Sequence, residues 1–359
     1  MSGATGAMRP GERTLRLLLA PLDRWLSDPA TTEVCVNRPG EAFVEARGAW
    51  ARHDLPELDF GRLDAIATLA AAMTAQDVGP SQPLCATVLP DGQRVQVARP
   101  PAVAPGTLSL TIRKPSAFSP TLESMREAGA FGATAASGAA VSPADAELLR
   151  LLAARDWPAF LGLAVRSRKN VLLCGATGSG KTTAAKALIR AIPEHERVLT
   201  IEDTPELVVP HANRVHLFYS KGGQGIARVA AGDLLEAALR MRPDRVLLQE
   251  LRDASAFTYL RGAASGHPGS ITTLHADNAP GAFDALALMV KEHPAGRHLA
   301  DADVRRLLRG LVDVVAHCDR STGAFRITEV WFDPAAKRDA ALALAPSSPK
   351  PAAPALAAE

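Results

Sequence analysis

The sequence predicts an α/β fold, an open parallel sheet with helices on both faces, preceded by a smaller α+β domain. Three observations predict it. The chain has 359 residues, 47% of them hydrophobic, which is enough for two cores rather than one. In its second half, short apolar runs at Val171–Cys174, 197–201, 245–249 and 270–274 alternate with stretches of helical periodicity. Runs without internal polar alternation fit strands buried on both faces, as in a parallel sheet. The first third instead mixes β-like runs with two helical stretches, and a segment of small residues, AFGATAASGAAVS (130–142), separates the halves.

Residues 1–12 are Gly-rich and polar and read as a flexible N-terminus. The α+β domain is assigned to residues 13–115. It opens with leucines at helical spacing over 14–26, followed by β-like runs at 33–37 and 42–45 around an Arg38-Pro39-Gly40 turn. A helix over 60–75 places Leu63, Ile66, Leu69, Ala70 and Met73 on one face. Strands at 87–89 and 94–98 flank Pro90-Asp91-Gly92, and a further strand covers 107–112. Residues 116–142 form the linker. Ser142 and Pro143 then open a helix, the serine as its cap and the proline in its first turn. The second domain spans 143–334, and the Ala/Pro-rich tail, 335–359, reads as disordered.

Composition excludes several classes. Forty Lys and Arg against 38 Asp and Glu leave a net charge of +2, with no global attraction to nucleic acid or anionic lipid. Aromatic residues are only 4%, too few for base-stacking tracks. The four cysteines, Cys35, Cys85, Cys174 and Cys318, form no C-x-x-C pair and read as buried thiols in a reducing compartment. The N-terminus lacks the apolar core of a signal peptide, and no run approaches the roughly 18 apolar residues of a membrane span. A cytoplasmic protein is expected, docked at most peripherally on a membrane through partners.

The strongest local signal is Gly175-Ala176-Thr177-Gly178-Ser179-Gly180-Lys181-Thr182-Thr183, which fits G-x-x-x-x-G-K-[ST] between a strand and a helix. Glycines let backbone N–H groups turn inward around a phosphate, and the helix N-terminus adds partial positive charge. Lys181 is expected on the β- and γ-phosphates and the Thr182 hydroxyl on Mg²⁺, so the motif implies a nucleoside triphosphate such as ATP with Mg²⁺. A second acid is needed nearby. Glu250, ending the apolar run 245–249, supplies it, either polarising water or holding Mg²⁺ through a water. Gln249 stands where an acid is more usual, which leaves Glu250 to act alone.

Two clusters extend the candidate site. Glu202, Asp203 and Glu206 crowd three carboxylates after a strand, a metal-linked or water-orienting arrangement if not a solvated loop. His275 closes the run 270–274 at the carboxyl edge, as a γ-phosphate sensor if not a structural histidine. Arg240, Arg242 and Arg245 are dense enough for a subunit contact, a solvated helix end being the alternative.

With these residues in place the chain resembles the traffic ATPases of type IV secretion and conjugation, the VirB-operon and Trb type. These belong to a superfamily that includes type II secretion and pilus motor ATPases. GATGSGKTT, TIEDTPEL, ALRMRPDRVLLQELRD and GHPGSITTLHADN resemble that family's Walker A, Asp box, Walker B and His box; EVCVNRPGEAFVE, LPDGQRVQVARPP and LTIRKP also look like it. The resemblance implies a RecA-like P-loop C-terminal domain, a PAS-like N-terminal domain and a homo-hexamer that hydrolyses ATP with Mg²⁺. It implies partners among inner-membrane channel components and coupling ATPases, and no sequence-specific nucleic-acid binding. Carried over, Lys181 and Thr182 contact phosphate and Mg²⁺, Glu250 is the Walker B acid, Glu202 and Glu206 belong to the Asp box, and His275 is the His-box histidine. Arg113 resembles an N-domain arginine that approaches the γ-phosphate, an ordinary strand-end arginine being the alternative. A type II or pilus motor, a nucleic-acid motor and a non-hydrolysing switch are the competing readings; unpaired cysteines, near-neutral charge, and Glu250 with His275 weigh against them in turn.

Overall fold

The computed structural model describes residues 9–115, 120–134 and 142–344. The first strands are β1 (Thr31–Val36), β2 (Gly40–Ala46), β3 (Ala49–Leu55), β4 (Leu84–Val88), β5 (Arg94–Ala98) and β6 (Ser109–Arg113). They form one antiparallel sheet in the order β3-β2-β1-β6-β5-β4. Two helices cover one face of it. Glu12–Leu19 contributes Leu15 and Leu19, and Phe60–Ala72 contributes Leu63, Ile66 and Ala70, to a core shared with Val34, Val44, Val97 and Leu110. The second helix starts where Asp59 accepts a hydrogen bond from the Arg62 amide at 2.7 Å, a cap worth about 1 kcal/mol.

The sequence misses β3, and for a physical reason. Its residues, AWARHDL, are mostly exposed, and the run Arg52-His53-Asp54 breaks the apolar alternation by which a strand is read; pairing with all of β2 holds it instead. The expectation of a flexible start over 1–12 does not hold from Arg9 on, because Arg9 donates to the Met73 carbonyl and the helix begins at Glu12; residues 1–8 lie outside the described residues. The linker expectation holds a helix, Leu122–Glu127, closed at its start by a Thr121–Ser124 capping box; 116–119 and 135–141 are outside the described residues.

The second domain carries β7 (Val171–Cys174), β8 (Val198–Glu202), β9 (Arg214–Phe218), β10 (Arg245–Leu248), β11 (Glu250–Leu251), β12 (Ile271–Leu274), β13 (Val314–Asp319) and β14 (Arg326–Phe332). Two ladders result, β10-β8-β9 and β11-β12-β7-β13-β14, parallel throughout except for the antiparallel β13–β14 hairpin. Gln249 joins them. Its amide donates to the Ile201 carbonyl of β8 at 3.1 Å, and its carbonyl accepts from the Thr273 hydroxyl of β12 at 3.2 Å. The strand that ends in Glu250 therefore changes neighbours at Gln249, and its acid is carried to the middle of the sheet.

Both faces are buried, as the apolar runs require. Along β7, Leu172 and Cys174 enter one core and Val171 and Leu173 the other. Helices Ala231–Leu239, Ser255–Ala264 and Ala279–Glu292 fill the first; Trp157–Arg166 and Lys181–Arg190 fill the second. The helix Pro143–Ala154 begins as its sequence predicts, with Ser142 accepting from the Asp145 amide and proline in the first turn. All four cysteines are free and buried.

The tail needs a correction. Residues 335–344 belong to a helix, Pro334–Leu344, rather than a disordered end; 345–359 lie outside the described residues. Asp333 accepts from the Ala336 amide at 2.9 Å, and Lys337 pairs with Asp313 at 2.6 Å. Alanine and leucine form helix readily once such anchors exist.

The two domains meet along β9 and the lower edge of the sheet. Phe218 donates its amide to the Ala102 carbonyl at 2.8 Å, and Ala98, Ala102 and Val103 join the core around Leu199 and Leu217. Arg197 is fully buried in this seam. It donates to Met241 O at 2.9 Å, to Asn37 Oδ1 at 2.7 Å and to Asn213, so one guanidinium ties β1 to the second domain. Burial pushes its pKa down, a cost that the surrounding acceptors offset.

Candidate active site

The 175–180 loop follows β7 because only glycine suits its backbone. Gly175 has φ +148°, and a Cβ there would lie 2.2 Å from the Cys318 carbonyl oxygen; Gly178 and Gly180 are left-handed, at +76° and +94°. Lys181 begins the following helix and is buried. Its Nζ donates to the carbonyls of Gly175 and Ala176 at 2.8 and 2.9 Å, and lies 3.5 Å from His275 Nδ1. Burial lowers its pKa, with Glu250 pulling the other way. Ser179 holds a buried hydroxyl without a partner. A glycine-lined loop, an unpaired buried hydroxyl and an ammonium resting on replaceable carbonyl oxygens together fit a phosphate group.

The neighbouring strands complete the constellation. Glu250 opens β11, paired with Thr273 of β12, and His275 follows the carboxyl end of β12, with His275 Nε2 3.0 Å from Glu250 Oε1. The contacts run as a chain from Lys181 through His275 to Glu250. An imidazole with its proton on Nε2 accepts from the lysine and donates to the carboxylate. Arg252 takes the other carboxylate oxygen, with Nε 2.8 Å from Glu250 Oε2. The sequence reading missed Arg252, although it follows the acid by two positions in QELRD.

Thr182 and Thr183 are exposed at the helix start, as are Ala176 and Thr177 in the loop. Thr182 and Glu250 fit Mg²⁺ held mainly by phosphate oxygens and water, a mode that needs only one or two protein oxygens. Among the described residues no three His, Cys, Asp or Glu side chains converge to hold a metal by themselves.

Glu202 departs from the expectation of a reacting carboxylate. It is fully buried and accepts from the Thr200 hydroxyl at 2.5 Å, from His216 Nδ1 at 2.8 Å, and from the amides of Glu206 and Leu207 at 3.0 and 2.9 Å. Burial opposes its charge, yet the hydrogen bonds from His216, Thr200 and Leu207 outweigh it and hold the carboxyl below its ordinary range. Glu202 therefore folds the 203–207 loop; its oxygens are already taken. His216 carried no signal in the sequence, since only folding brings β9 beside β8. Glu206 is exposed, and with Asp203 it acts electrostatically on Arg252. Gln249 Oε1 lies 3.5 Å from the Thr204 amide, so the residue that departs from the family pattern bridges toward this loop.

Two arginine expectations also change. Arg113 pairs with Glu33 at 3.4 Å and lines a cavity of about 1220 Å³ with Glu45, Arg94, Lys114 and Arg242. Arg242 precedes β10 whereas Glu250 follows it, so this cavity lies at the opposite edge of the sheet from the glycine loop, and within one chain Arg113 does not join the site. Arg245 is fully buried against Glu196 at 2.5 Å, and Arg242 pairs with Glu45 of the first domain. Neither is free for a subunit contact; Arg240 pairs only with exposed Glu236 one turn away.

The chain is similar to known proteins over most of its length. Residues 148–339 match the family described as Type II/IV secretion system protein. The type IV secretion system protein VirB11 of Bartonella henselae is 44% identical over 332 residues, covering 89% of this chain and 93% of that protein. Protein VirB11 of Agrobacterium fabrum is 46% identical over 327 residues, covering 90% and 95%. The VirB11 ATPase from the Brucella suis type IV secretion system, solved in complex with sulphate, is 44% identical with a TM-score of 0.88, covering 93% of this chain and 98% of that one.

Proposed function

Because the chain belongs to the type II/IV secretion system protein family, among its VirB11 members, we propose that it hydrolyses ATP to ADP and phosphate to power a type IV secretion or conjugation apparatus. One observation carries the chemical part: the Lys181–His275–Glu250 chain converges on the glycine loop from the carboxyl edge of the sheet. Mg²⁺, when bound, would neutralise charge on the β- and γ-phosphates. The chain's own residues do the rest. The 175–180 amides bind phosphate, and Lys181 moves from two carbonyls to phosphate oxygens. Thr182 offers its hydroxyl to the metal, and Glu250 orients and polarises the attacking water. His275, touching both Lys181 and Glu250, reports the state of the terminal phosphate to the carboxylate. Arg252 holds Glu250 in place beside it.

The proposal includes a six-membered ring of identical chains, cytoplasmic and docked on the inner face of the membrane through channel components and coupling ATPases. It is supported by family membership; no helix among the described residues is long and apolar enough to cross a membrane. Identity to VirB11 proteins over nine-tenths of the chain disfavours a type II or pilus motor. In a ring, Arg113 would meet a nucleotide only across a subunit boundary.

The test pairs two variants. Lys181→Ala should abolish steady-state turnover and weaken ATP binding. Glu250→Gln should lower kcat by at least about a hundredfold while keeping ATP bound, as expected for loss of a group acting on the attacking water. Wild-type turnover in either variant would refute the site. Mass measured together with rate, with and without candidate channel partners, tests the ring.

A further inference from the structure

The glycine loop has two flanks. β7, which feeds it, lies between β12 and β13. Lys181 is turned toward His275 and Glu250 on the β12 flank, so on the function proposed above the terminal phosphate belongs there. A nucleoside triphosphate held that way leaves its nucleoside on the opposite flank, beyond the end of β13.

That flank is built closely against the loop. The Cys318 carbonyl of β13 fills the space beside Gly175. The chain then turns through residues 320–325 and sets the ring of Phe325 against Gly180, where a Cβ would come within 2.4 Å of the ring. Phe325 nevertheless remains 42% exposed. Its neighbour Ile327 packs against the core of this side of the sheet, whereas Phe325 does not. In a chain with 4% aromatic residues, this ring serves neither the interior nor a distant surface. The ring is backed by the phosphate loop and keeps an exposed part, and it stands on the flank to which the nucleoside would be directed.

We infer that Phe325 is the stacking platform for the nucleobase. Stacking on a phenyl ring holds a base through its π face and tolerates different bases, since each has one. Phe325 therefore adds affinity to the nucleoside end and little discrimination between adenine and guanine. The contact with Gly180 couples base and phosphates: the ring that meets the base rests on the glycine that starts the Lys181 helix.

The experiment compares calorimetric binding of ATP, GTP and inorganic tripolyphosphate to the full chain, each with Mg²⁺, for wild type, Phe325→Ala and Phe325→Trp. Phe325→Ala should weaken ATP and GTP by about tenfold and change tripolyphosphate by less than about twofold. Phe325→Trp should retain ATP binding, with an indole emission that changes on adding ATP but not tripolyphosphate. Equal weakening of ATP and tripolyphosphate would make Phe325 a brace for the loop and overturn the inference, as would no weakening of either. Wild type that binds neither ATP nor tripolyphosphate would instead refute the nucleotide site itself.

Discussion

Glu202→Gln separates a carboxylate that builds the site from one that reacts in it. Glu202 accepts four hydrogen bonds in the interior, two from side chains and two from the amides of Glu206 and Leu207. Glutamine keeps one carbonyl oxygen and replaces the other with an NH₂ donor. Whichever way the amide is placed, that donor faces one of the two pairs of donors. Bonds to a charged acceptor contribute about 1.5–3 kcal/mol each, and a buried donor left unpaired costs about 1–3 kcal/mol. Part of that loss is relieved by relaxation of the loop, so the expected loss is about 3 kcal/mol. It has a pH signature. The folded state holds Glu202 below 4.5, so the unfolded chain binds its proton first as pH falls. The stability this carboxylate contributes is fully present above that value and is lost as pH falls through its folded pKa. Urea unfolding of wild type and variant should therefore show a constant gap from pH 8 to 5 that narrows in more acid solution. Turnover is measured alongside at a temperature where both are folded. An unchanged urea midpoint with kcat reduced a hundredfold or more would refute the reasoning, since only a reacting carboxylate behaves so.

Glu33 titrates in the opposite sense. Burial pushes its carboxyl up to about 7, against the pull of Arg113, so the folded state holds the proton through a window where the unfolded chain has lost it. Stability from this group is present at low pH and declines as pH rises from 4.5 to about 7. Glu33→Gln should match wild type at pH 5 and exceed it by about 2 kcal/mol at pH 8; a gap independent of pH in urea unfolding would sink this account. In the phosphate loop, Gly178→Ala meets nothing within 4 Å and should cost only the left-handed strain of about 1–2 kcal/mol. Gly175→Ala must displace the end of β13, and should cost about 3 kcal/mol or more and weaken ATP binding at least tenfold. Equal thermal midpoints and affinities for the two would show that the Cys318 carbonyl yields freely.

The legibility of this protein divides by range along the chain. The glycine loop, the capped helix at Ser142 and Pro143, and the strands at Val171–Cys174 and Arg94–Ala98 could be read directly, because each depends on contiguous residues whose backbone preferences and periodicity are local. β9 and β13 carry no such signal because each is held by a parallel strand on the far side of intervening chain, and β14, an edge strand whose residues are mostly part-exposed, is fixed by its hairpin with β13 rather than by an apolar run. Direction was the harder property. Glu202 and Glu250 look alike as acids at strand ends, yet one is drawn inward by His216 and two loop amides while the other is carried to Lys181 by the change of neighbours at Gln249. Arg242 and Arg245 look alike as clustered cations, yet packing pairs one with Glu45 of the first domain, beside the cavity that Arg113 also lines, and buries the other against Glu196.

The sequence by itself determined that a phosphate-binding loop exists, which residues form it, and that a two-faced sheet supports it. Only the tertiary structure decided which acids and arginines face that loop. Backbone conformation follows from neighbouring residues, whereas the orientation of a charged side chain follows from whichever distant partner offsets its desolvation.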